Sequence, residues 1–259
     1  MIRHELDRPA WTSLASKHAA FAEGGAGAKR YAPSIVPFAA TRDDTPESLG
    51  ALSDLLTPGE IAVFLQAGEI PLPPRLRDVS RAVGVQMVAN RPIEQVDETG
   101  IAPLTREDAE EMLSLALLTK PGPFTRNALD IGQFWGVREN GRLIAMAGQR
   151  MAQTGYVELS GVCVHPDLRG RGLARKLSCY AAHRILEGGD KPYLHAYASN
   201  AAAIQLYESI GFELRATMNV AVFERLEKEK RRWSDPPALI MFRVMRFIFR
   251  ARLQPRRCR

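Results

Sequence analysis

Cysteine is scarce in this chain, and long apolar runs are missing from it. Only three of the 259 residues are cysteines, Cys163, Cys179 and Cys258, and none stands in a CxxC pair or at the spacing of metal ligands. This pattern argues against a disulfide framework and predicts free thiols in a reducing compartment. The first residues, MIRHELDRPAW, lack the apolar segment of a secretory signal, and no uninterrupted apolar run reaches membrane-spanning length. We therefore expect a cytoplasmic protein.

Basic residues are unevenly distributed along the chain. The whole chain carries a formal charge of +6, but residues 227–259 hold eleven Lys/Arg and three Asp/Glu, so that the remaining 226 residues carry −2. A nucleic-acid-binding body would need a basic face of its own, and we expect no nucleic-acid partner. Within the basic segment, Arg243, Arg246 and Arg250 share one face of an otherwise apolar helical pattern. Such a helix could lie on an anionic membrane surface, dock on the body of the protein, or be a poorly ordered extension.

The first hundred residues are the less informative part of the chain. Trp11 to Phe21 has the apolar spacing of a helix, and Thr45-Pro46-Glu47 is a favourable helix start. Glu60 to Leu65 and Val83 to Ala89 have the composition of strands. No phosphate-binding loop or catalytic constellation occurs among them. Residues 1–100 are therefore predicted to form a small α/β unit.

The stretch from Tyr156 to Ala174, YVELSGVCVHPDLRGRGLA, carries the clearest pattern in the chain. It opens as an apolar, β-branched strand and breaks at His165-Pro166-Asp167, because proline removes a ladder donor and fixes its own φ. Arg169-Gly170-Arg171-Gly172-Leu173-Ala174 follows as a small-residue loop that opens a helix. Glycines let backbone N–H groups converge on an anion, and the helix start adds unpaired donors and partial positive charge. The segment predicts an anion-binding loop that suits a pyrophosphate.

Two familiar phosphate-binding loops do not fit this spacing. A P-loop would place a lysine and a hydroxyl residue directly after Gly172, and neither is present. A dinucleotide-binding GxGxxG would have its third glycine where Arg175 stands. The pattern that fits is (Q/R)xxGx(G/A), formed by Arg169, Gly172 and Ala174. It resembles the acyl-CoA loop of the GNAT superfamily of N-acetyltransferases.

A second motif of the same superfamily, NxxAxxxYxxxGF, lies downstream at the expected distance. Its members are Asn200, Ala203, Tyr207, Gly211 and Phe212. The resemblance covers about residues 101–226 and is closest to the subgroup that includes the C-terminal domain of glycine N-acyltransferases. It implies an α/β GNAT acyl-CoA N-acyltransferase fold, a mixed sheet flanked by helices, preceded by a smaller and degenerate α/β half.

The resemblance also implies how acetyl-CoA would bind as a co-substrate. The loop would hold the pyrophosphate, and the backbone N–H of Val162 or a neighbour would face the oxyanion. Asn200 would contact the cofactor arm, although it is also an excellent helix N-cap. Gly161 stands where the family places a bulge that separates two parallel strands, and a close-packed glycine is the alternative. The residues assigned to the co-substrate are Val162, Cys163, Val164, Arg169, Gly170, Arg171, Gly172, Leu173, Ala174, Asn200 and Ala203. No metal is expected.

Acyl transfer to an amine needs a group that removes a proton from the ammonium and a group that protonates the leaving thiolate. Glu158 is the candidate base, because several family members carry a catalytic glutamate at this place in the strand. The alternative is a glutamate that faces solvent or pairs with an arginine. Tyr207 is the candidate general acid by its place in the motif, and the alternative is a core tyrosine on an amphipathic helix. His195 could be a second base, but a satisfied core histidine is the commoner case.

The sequence thus predicts an acetyl-CoA-dependent N-acetyltransferase in which a small amine or peptide acceptor attacks the thioester directly. A non-catalytic acyl-CoA-binding module and a tail-driven adaptor are the alternatives. The predicted organisation is an N-terminal α/β domain (1–100), a catalytic domain (101–226) and a basic amphipathic tail (227–259) through which the chain could contact a membrane surface. In the family, the first helix of the catalytic part and the loop after it wall the acceptor site, so Phe124 and Asn127 could contact the substrate. The alternative is a solvated loop with one buried aromatic residue.

Overall fold

The structure is a computed structural model that describes residues 4–227, and the predicted tail helix lies outside these residues. The helices of the described part are α1 (Pro9–Leu14), α2 (Pro46–Leu55), α3 (Ala109–Thr119), α4 (Leu173–Glu187) and α5 (Ala201–Ser209). Its strands are β1 (Ala22–Gly24), β2 (Ala28–Tyr31), β3 (Ala39–Thr41), β4 (Ile61–Gln66), β5 (Leu76–Ala89), β6 (Ile101–Leu104), β7 (Phe134–Glu139), β8 (Arg142–Gln153), β9 (Tyr156–Val164), β10 (Lys191–Tyr197) and β11 (Phe212–Arg225). Among the described residues, no helix combines the length and the apolar character needed to cross a membrane.

The main sheet has eight strands in the order β4-β11-β5-β10-β9-β8-β7-β6. β9 and β10 run parallel, and the other neighbouring strands run antiparallel. A separate three-stranded antiparallel sheet is formed by β1, β2 and β3. The predicted fold class, a mixed sheet flanked by helices with a smaller α/β part before it, is confirmed.

Strands from the first hundred residues take part in the main sheet. β5 lies between β10 and β11 and pairs with both, and β4 forms the edge beyond β11. The strand predicted at Val83 to Ala89 is the second half of β5, which begins seven residues earlier at Leu76. The sheet therefore runs across the boundary at residue 100 that the sequence indicated, and the N-terminal segment is positioned to contribute to any site on that sheet.

Local sequence signals produce several of these elements as expected. The hairpin between β7 and β8 turns at Asn140 and Gly141, which both have positive φ values, 50° and 79°. Thr45 caps α2 by accepting a hydrogen bond from the backbone N–H of Ser48. Thr105 and Asp108 form the predicted capping box at the turn that leads into α3. The helix predicted from Trp11 is shorter than expected, since α1 ends at Leu14 and only a 3₁₀ turn follows at Ala19–Phe21.

The two faces of the main sheet are covered by different parts of the chain. α4 and α5 pack on one face through a core that includes Leu159 of β9 and Leu194 of β10. α1 packs on the other face through a core that includes Met151 of β8 and Met218 of β11. Because side chains alternate along a strand, the neighbours of Leu159 and Leu194 in sequence face the N-terminal segment. Glu158 and His195 are such neighbours.

Candidate active site

The parallel pair β9 and β10 separates part-way along its length. Lys191, Pro192 and Tyr193 pair with Tyr156, Val157 and Glu158, and the ladder between the two strands stops there. Gly161, at φ 63°, and Val162 together stand opposite the single residue Ala147 of β8, so β9 carries the predicted bulge. Beyond Glu158 the β10 side of β9 has no ladder partner within residues 4–227. A V-shaped opening therefore begins at Glu158, and the backbone of Val162, Cys163 and Val164 borders it.

The glycine loop lies at the exit of β9 and leads into α4. Gly170 and Gly172 have φ values of 79° and 76°, which favour glycine, and a Cβ at either position would meet no atom within 4 Å. Gly172 is the N-cap of α4, and no side chain among residues 4–227 accepts a hydrogen bond from the first N–H groups of the helix. Leu173 and Ala174 form the first turn. The loop thus presents free backbone donors and open space, as an anion-binding loop requires.

The two arginines of the loop differ in their surroundings. Arg171 donates to Glu139 at the end of β7, with Nη2 3.0 Å from Oε1. Arg169 is exposed and forms no ion pair within residues 4–227. Arg169 is therefore the arginine of this loop that is available to an added anion without breaking an existing pair.

Tyr207 is held in the core between α5 and the sheet. Its side chain packs against Phe212, and only 8% of the residue is exposed. Burial raises the pKa of the Tyr207 phenol above its ordinary value. No described residue forms a hydrogen bond with its hydroxyl, so the proton on that oxygen is both retained and uncommitted. The structure also shows Asn200 as the N-cap of α5, with Oδ1 accepting from the N–H of Ala203 at 3.2 Å.

Glu158 lies in a different environment from the one expected of a base. Its side chain is 1% exposed and receives Nε and Nη2 of Arg150 at 2.8 and 2.6 Å. Nδ1 of His195 lies 2.7 Å from its Oε1, and the N–H of Met151 lies 3.3 Å from its Oε2. Burial by itself would raise the pKa of this carboxyl, but Arg150 and then His195 more than offset it and lower the pKa to about 2.

The prediction that Glu158 takes the proton of the acceptor directly is therefore not supported by this geometry. A carboxylate with a pKa near 2 and four filled acceptor positions is a weak proton acceptor at neutral pH. The structure shows the alternative arrangement, a glutamate paired with an arginine.

A chain of buried polar groups continues from Glu158 into the N-terminal segment. Nε2 of His195 lies 2.9 Å from Nε2 of Gln86, whose amide also donates to the carbonyl of Leu6 at 2.9 Å. Oε1 of Gln86 accepts from Arg215. Because the Gln86 amide nitrogen must be a donor, His195 accepts at Nε2 and donates at Nδ1. His195 thus has a hydrogen-bond partner at each ring nitrogen, and it fixes the orientation of Glu158.

A cleft of about 300 Å³ opens beside this polar chain. Arg150 and His195 line it, and so does the loop Lys120–Pro123 that follows α3. The N-terminal segment and β11 supply an apolar wall. That wall consists of Phe38, Val63, Leu65, Met218, Val220 and Val222. Sequence reasoning missed Arg150 and this wall because nothing in the local pattern ties these positions to the motif strand.

Phe124, His165 and Cys163 are buried and do not line the cleft. Phe124 is buried edge-to-face against Phe134, with ring centroids 5.5 Å apart, and does not line the cleft. His165 is buried, and its Nε2 lies 2.8 Å from Nη2 of Arg142. Cys163 is buried, and burial raises the pKa of its thiol to about 12, which argues against a nucleophile.

Comparison with known proteins places this fold. The FR47-like protein family matches residues 134–222. A GNAT-family protein from Novosphingobium aromaticivorans of known structure is 39% identical, with a TM-score of 0.82 over 87% of this chain and 100% of that one. The chain belongs to the GNAT family. No curated protein sequence matches it.

Two more distant GNAT structures share the fold. A GCN5-related N-acetyltransferase from Kribbella flavida is 16% identical, with a TM-score of 0.58 over 88% of this chain and 98% of that one. A GCN5-related N-acetyltransferase-like protein from Streptococcus suis is 15% identical, with a TM-score of 0.53 over 85% of this chain and 95% of that one. The shared coverage includes most of the N-terminal segment, so the arrangement of both parts around one sheet is common to these GNAT proteins.

The opening between β9 and β10 ends at free backbone donors near Gly172, and the uncommitted hydroxyl of Tyr207 belongs to the helix after β10. Within residues 4–227, no three His, Cys, Asp or Glu side chains come together as metal ligands.

Proposed function

We propose that this GNAT protein is an acyl-CoA-dependent N-acyltransferase, with acetyl-CoA as its donor. The observation that carries the proposal is the opening between β9 and β10, which starts at Glu158 and leads to the free helix N-terminus at Gly172. An extended thioester arm would fit the opening between the strands, and a pyrophosphate would fit the helix N-terminus at Gly172. A protein that only stabilised the sheet would gain nothing from separating two parallel strands.

The donor would be held largely by backbone groups. The N–H groups of the loop from Arg169 to Ala174 would bind the pyrophosphate, with the charge of Arg169 beside them. The unpaired edge of β9 at Val162, Cys163 and Val164 would face the arm, and a backbone N–H in this stretch would stabilise the oxyanion. Asn200 and Ala203, at the start of α5, would border the arm on the β10 side.

The reaction would be a direct transfer. The nitrogen lone pair of the neutral acceptor amine attacks the thioester carbonyl carbon, and the bond between that carbon and sulfur breaks. The leaving thiolate takes its proton from Tyr207, whose raised pKa keeps that proton in place at neutral pH. The proton that the attacking nitrogen loses on becoming an amide nitrogen returns through water to the Tyr207 phenolate. Glu158 is assigned a positioning role, because it fixes Arg150 and His195 beside the cleft. The proton of the acceptor ammonium would leave through water in the cleft.

Two alternatives follow from the same features. Within the family, the closest likeness of the motifs is to the glycine N-acyltransferase subgroup, which would make the acceptor a small amino compound. A non-catalytic acyl-CoA-binding module would keep the loop at Gly172 and the opening but would have no need for an uncommitted hydroxyl at Tyr207. The uncommitted hydroxyl of Tyr207 therefore favours the enzyme over the binding module.

The test is release of free thiol from acetyl-CoA in the presence of a panel of amines, with CoA affinity measured by calorimetry. The enzyme should bind CoA and release thiol only when a suitable amine is present. Tyr207→Phe should slow turnover by about tenfold or more while CoA affinity stays within about twofold. CoA binding without thiol release for any amine would favour the binding module, and no CoA binding would remove both proposals.

A further inference from the structure

The charged groups of the cleft are unusual for a site that receives a cationic amine. Arg150 and Lys120 line it, and no aspartate or glutamate does so among the described residues. Lys120 is exposed, stands in a left-handed conformation with φ 54°, and forms no ion pair within residues 4–227. A cleft built for a polyamine or a lysine-rich peptide would need carboxylates to hold the additional ammonium groups.

Arg150 presents one nitrogen that Glu158 does not use. Nε and Nη2 are bound to the carboxylate, whereas Nη1 has no hydrogen-bond partner within residues 4–227 and is not sealed in the core. The guanidinium lies over the ring of Phe38, 4.8 Å from its centroid. The position of the guanidinium is therefore fixed on two sides, by an ion pair and by an aromatic face, and Arg150 lines the cleft.

The rest of the cleft surface is mostly apolar. Phe38, Val63 and Leu65 come from the N-terminal segment, and Met218, Val220 and Val222 come from β11. Burial of an aliphatic or aromatic group against this wall would favour binding, because it removes apolar surface from water. The cleft thus combines an apolar wall with a fixed donor for an anionic or carbonyl oxygen.

We propose that the acceptor is a free amino acid with an apolar side chain. Its carboxylate binds Nη1 of Arg150, with Lys120 adding positive charge nearby, and its side chain lies on the wall formed by β4, β11 and Phe38. This proposal rests on the proposed function and names the acceptor class for the same site. The role it gives the N-terminal segment is to provide half of the apolar wall.

The test compares leucine with two analogues that each lack one group. Isoamylamine keeps the apolar body and the amine but lacks the carboxylate, and 4-methylpentanoate lacks the amine. In the thiol-release assay kcat/KM for leucine should exceed that for isoamylamine by at least about tenfold, because a buried donor is left unpaired by the analogue. Spermidine should be the poorest acceptor. 4-Methylpentanoate should inhibit competitively with leucine and bind on its own in calorimetry.

A pair of variants locates the effect. Val220→Asp places a carboxylate on the half-buried wall and should reverse the preference between leucine and isoamylamine. Val83→Asp is the matched control, since Val83 is half exposed on the adjacent β5 and does not line the cleft. It should retain the preference of the unaltered protein.

The possible failures are distinct. Thiol release with isoamylamine or spermidine preferred over leucine would overturn the acceptor proposal and leave the acyltransferase intact. Binding of 4-methylpentanoate that Val220→Asp abolishes and Val83→Asp preserves, without turnover of any amine, would support the cleft assignment and remove the enzymatic function. No binding of leucine or 4-methylpentanoate to the unaltered protein would overturn the acceptor proposal.

Discussion

The proposed donor loop and the proposed acceptor cleft are built from different kinds of groups. The loop from Arg169 to Ala174 is contiguous, exposed and formed mainly by backbone groups whose position depends on two glycines. The cleft is assembled from β4, β5, β8, β10, β11 and two loops, and it depends on a buried network of side chains around Glu158.

This difference predicts opposite sensitivities. A site made of backbone donors tolerates changes of most side chains but not a change in the residue type that permits its conformation. A site made of buried charges is sensitive wherever one partner of a pair is removed, because the other is left uncompensated in the core. The following changes separate the two cases, beginning with the largest expected effect.

Glu158→Gln should strongly destabilise the protein. It leaves the guanidinium of Arg150 without its buried counter-charge, which typically lowers the free energy of unfolding by about 3–5 kcal/mol. Glu139→Gln is the matched control on the donor side, since Glu139 pairs with Arg171 at 3.0 Å but the two side chains are 42% and 50% exposed. It should leave the free energy of unfolding almost unchanged, because solvent screens an exposed ion pair. Chemical denaturation of both variants measures the difference, and equal losses would contradict the contrast.

His18 should make the free energy of unfolding of the protein depend on pH in the acid range. It is buried against Tyr31, and burial, followed by the charge of Lys17, lowers its pKa to about 4 from an ordinary 6.5, although Glu158 acts in the opposite direction. As pH falls through this window the unfolded chain gains a proton that the folded chain does not. Stability is therefore complete above pH 6.5 and should fall by on the order of 3 kcal/mol as pH approaches 4.

The measurement is the free energy of unfolding at intervals between pH 7 and pH 4. His18→Gln should reduce the slope in that window, and His183→Gln, on the surface of α4, should leave it unchanged. If the free energy of unfolding had the same slope against pH in the unaltered protein and in His18→Gln, another group would be responsible for the pH dependence.

Gly172→Val should act on the donor and hardly on the cleft. A branched side chain is strained at φ 76° and would enter the space in which the pyrophosphate is bound, so CoA affinity should fall by about a hundredfold or more. Gly155→Val is the matched control, because Gly155 has the same φ of 76° and the same open surroundings in the turn before β9. It should lose similar stability but keep CoA affinity. Equal affinity in the two variants, measured by calorimetry on folded protein, would remove the loop from the donor site.

The features that sequence reasoning identified correctly are those encoded within short stretches. The helix cap at Thr45 and the bulge at Gly161 each depend on a few neighbouring residues. The environment of Glu158 depends on its tertiary surroundings, which the sequence did not indicate. Arg150 is only eight residues from it, but the pairing follows from the register of β8 against β9.

The sequence by itself determined the family, the mixed fold and the glycine loop before α4, because glycine conformations, a helix start and motif spacing are local properties of the chain. Only the tertiary structure decided the polar network around Glu158 and the cleft beside it. His195 meets Gln86 across 109 positions, and Phe38 meets Arg150 because an N-terminal segment packs on a sheet formed mostly by later strands. Burial and charge pairing across such distances set whether a glutamate takes protons or only holds its neighbours in place, and no local pattern records them.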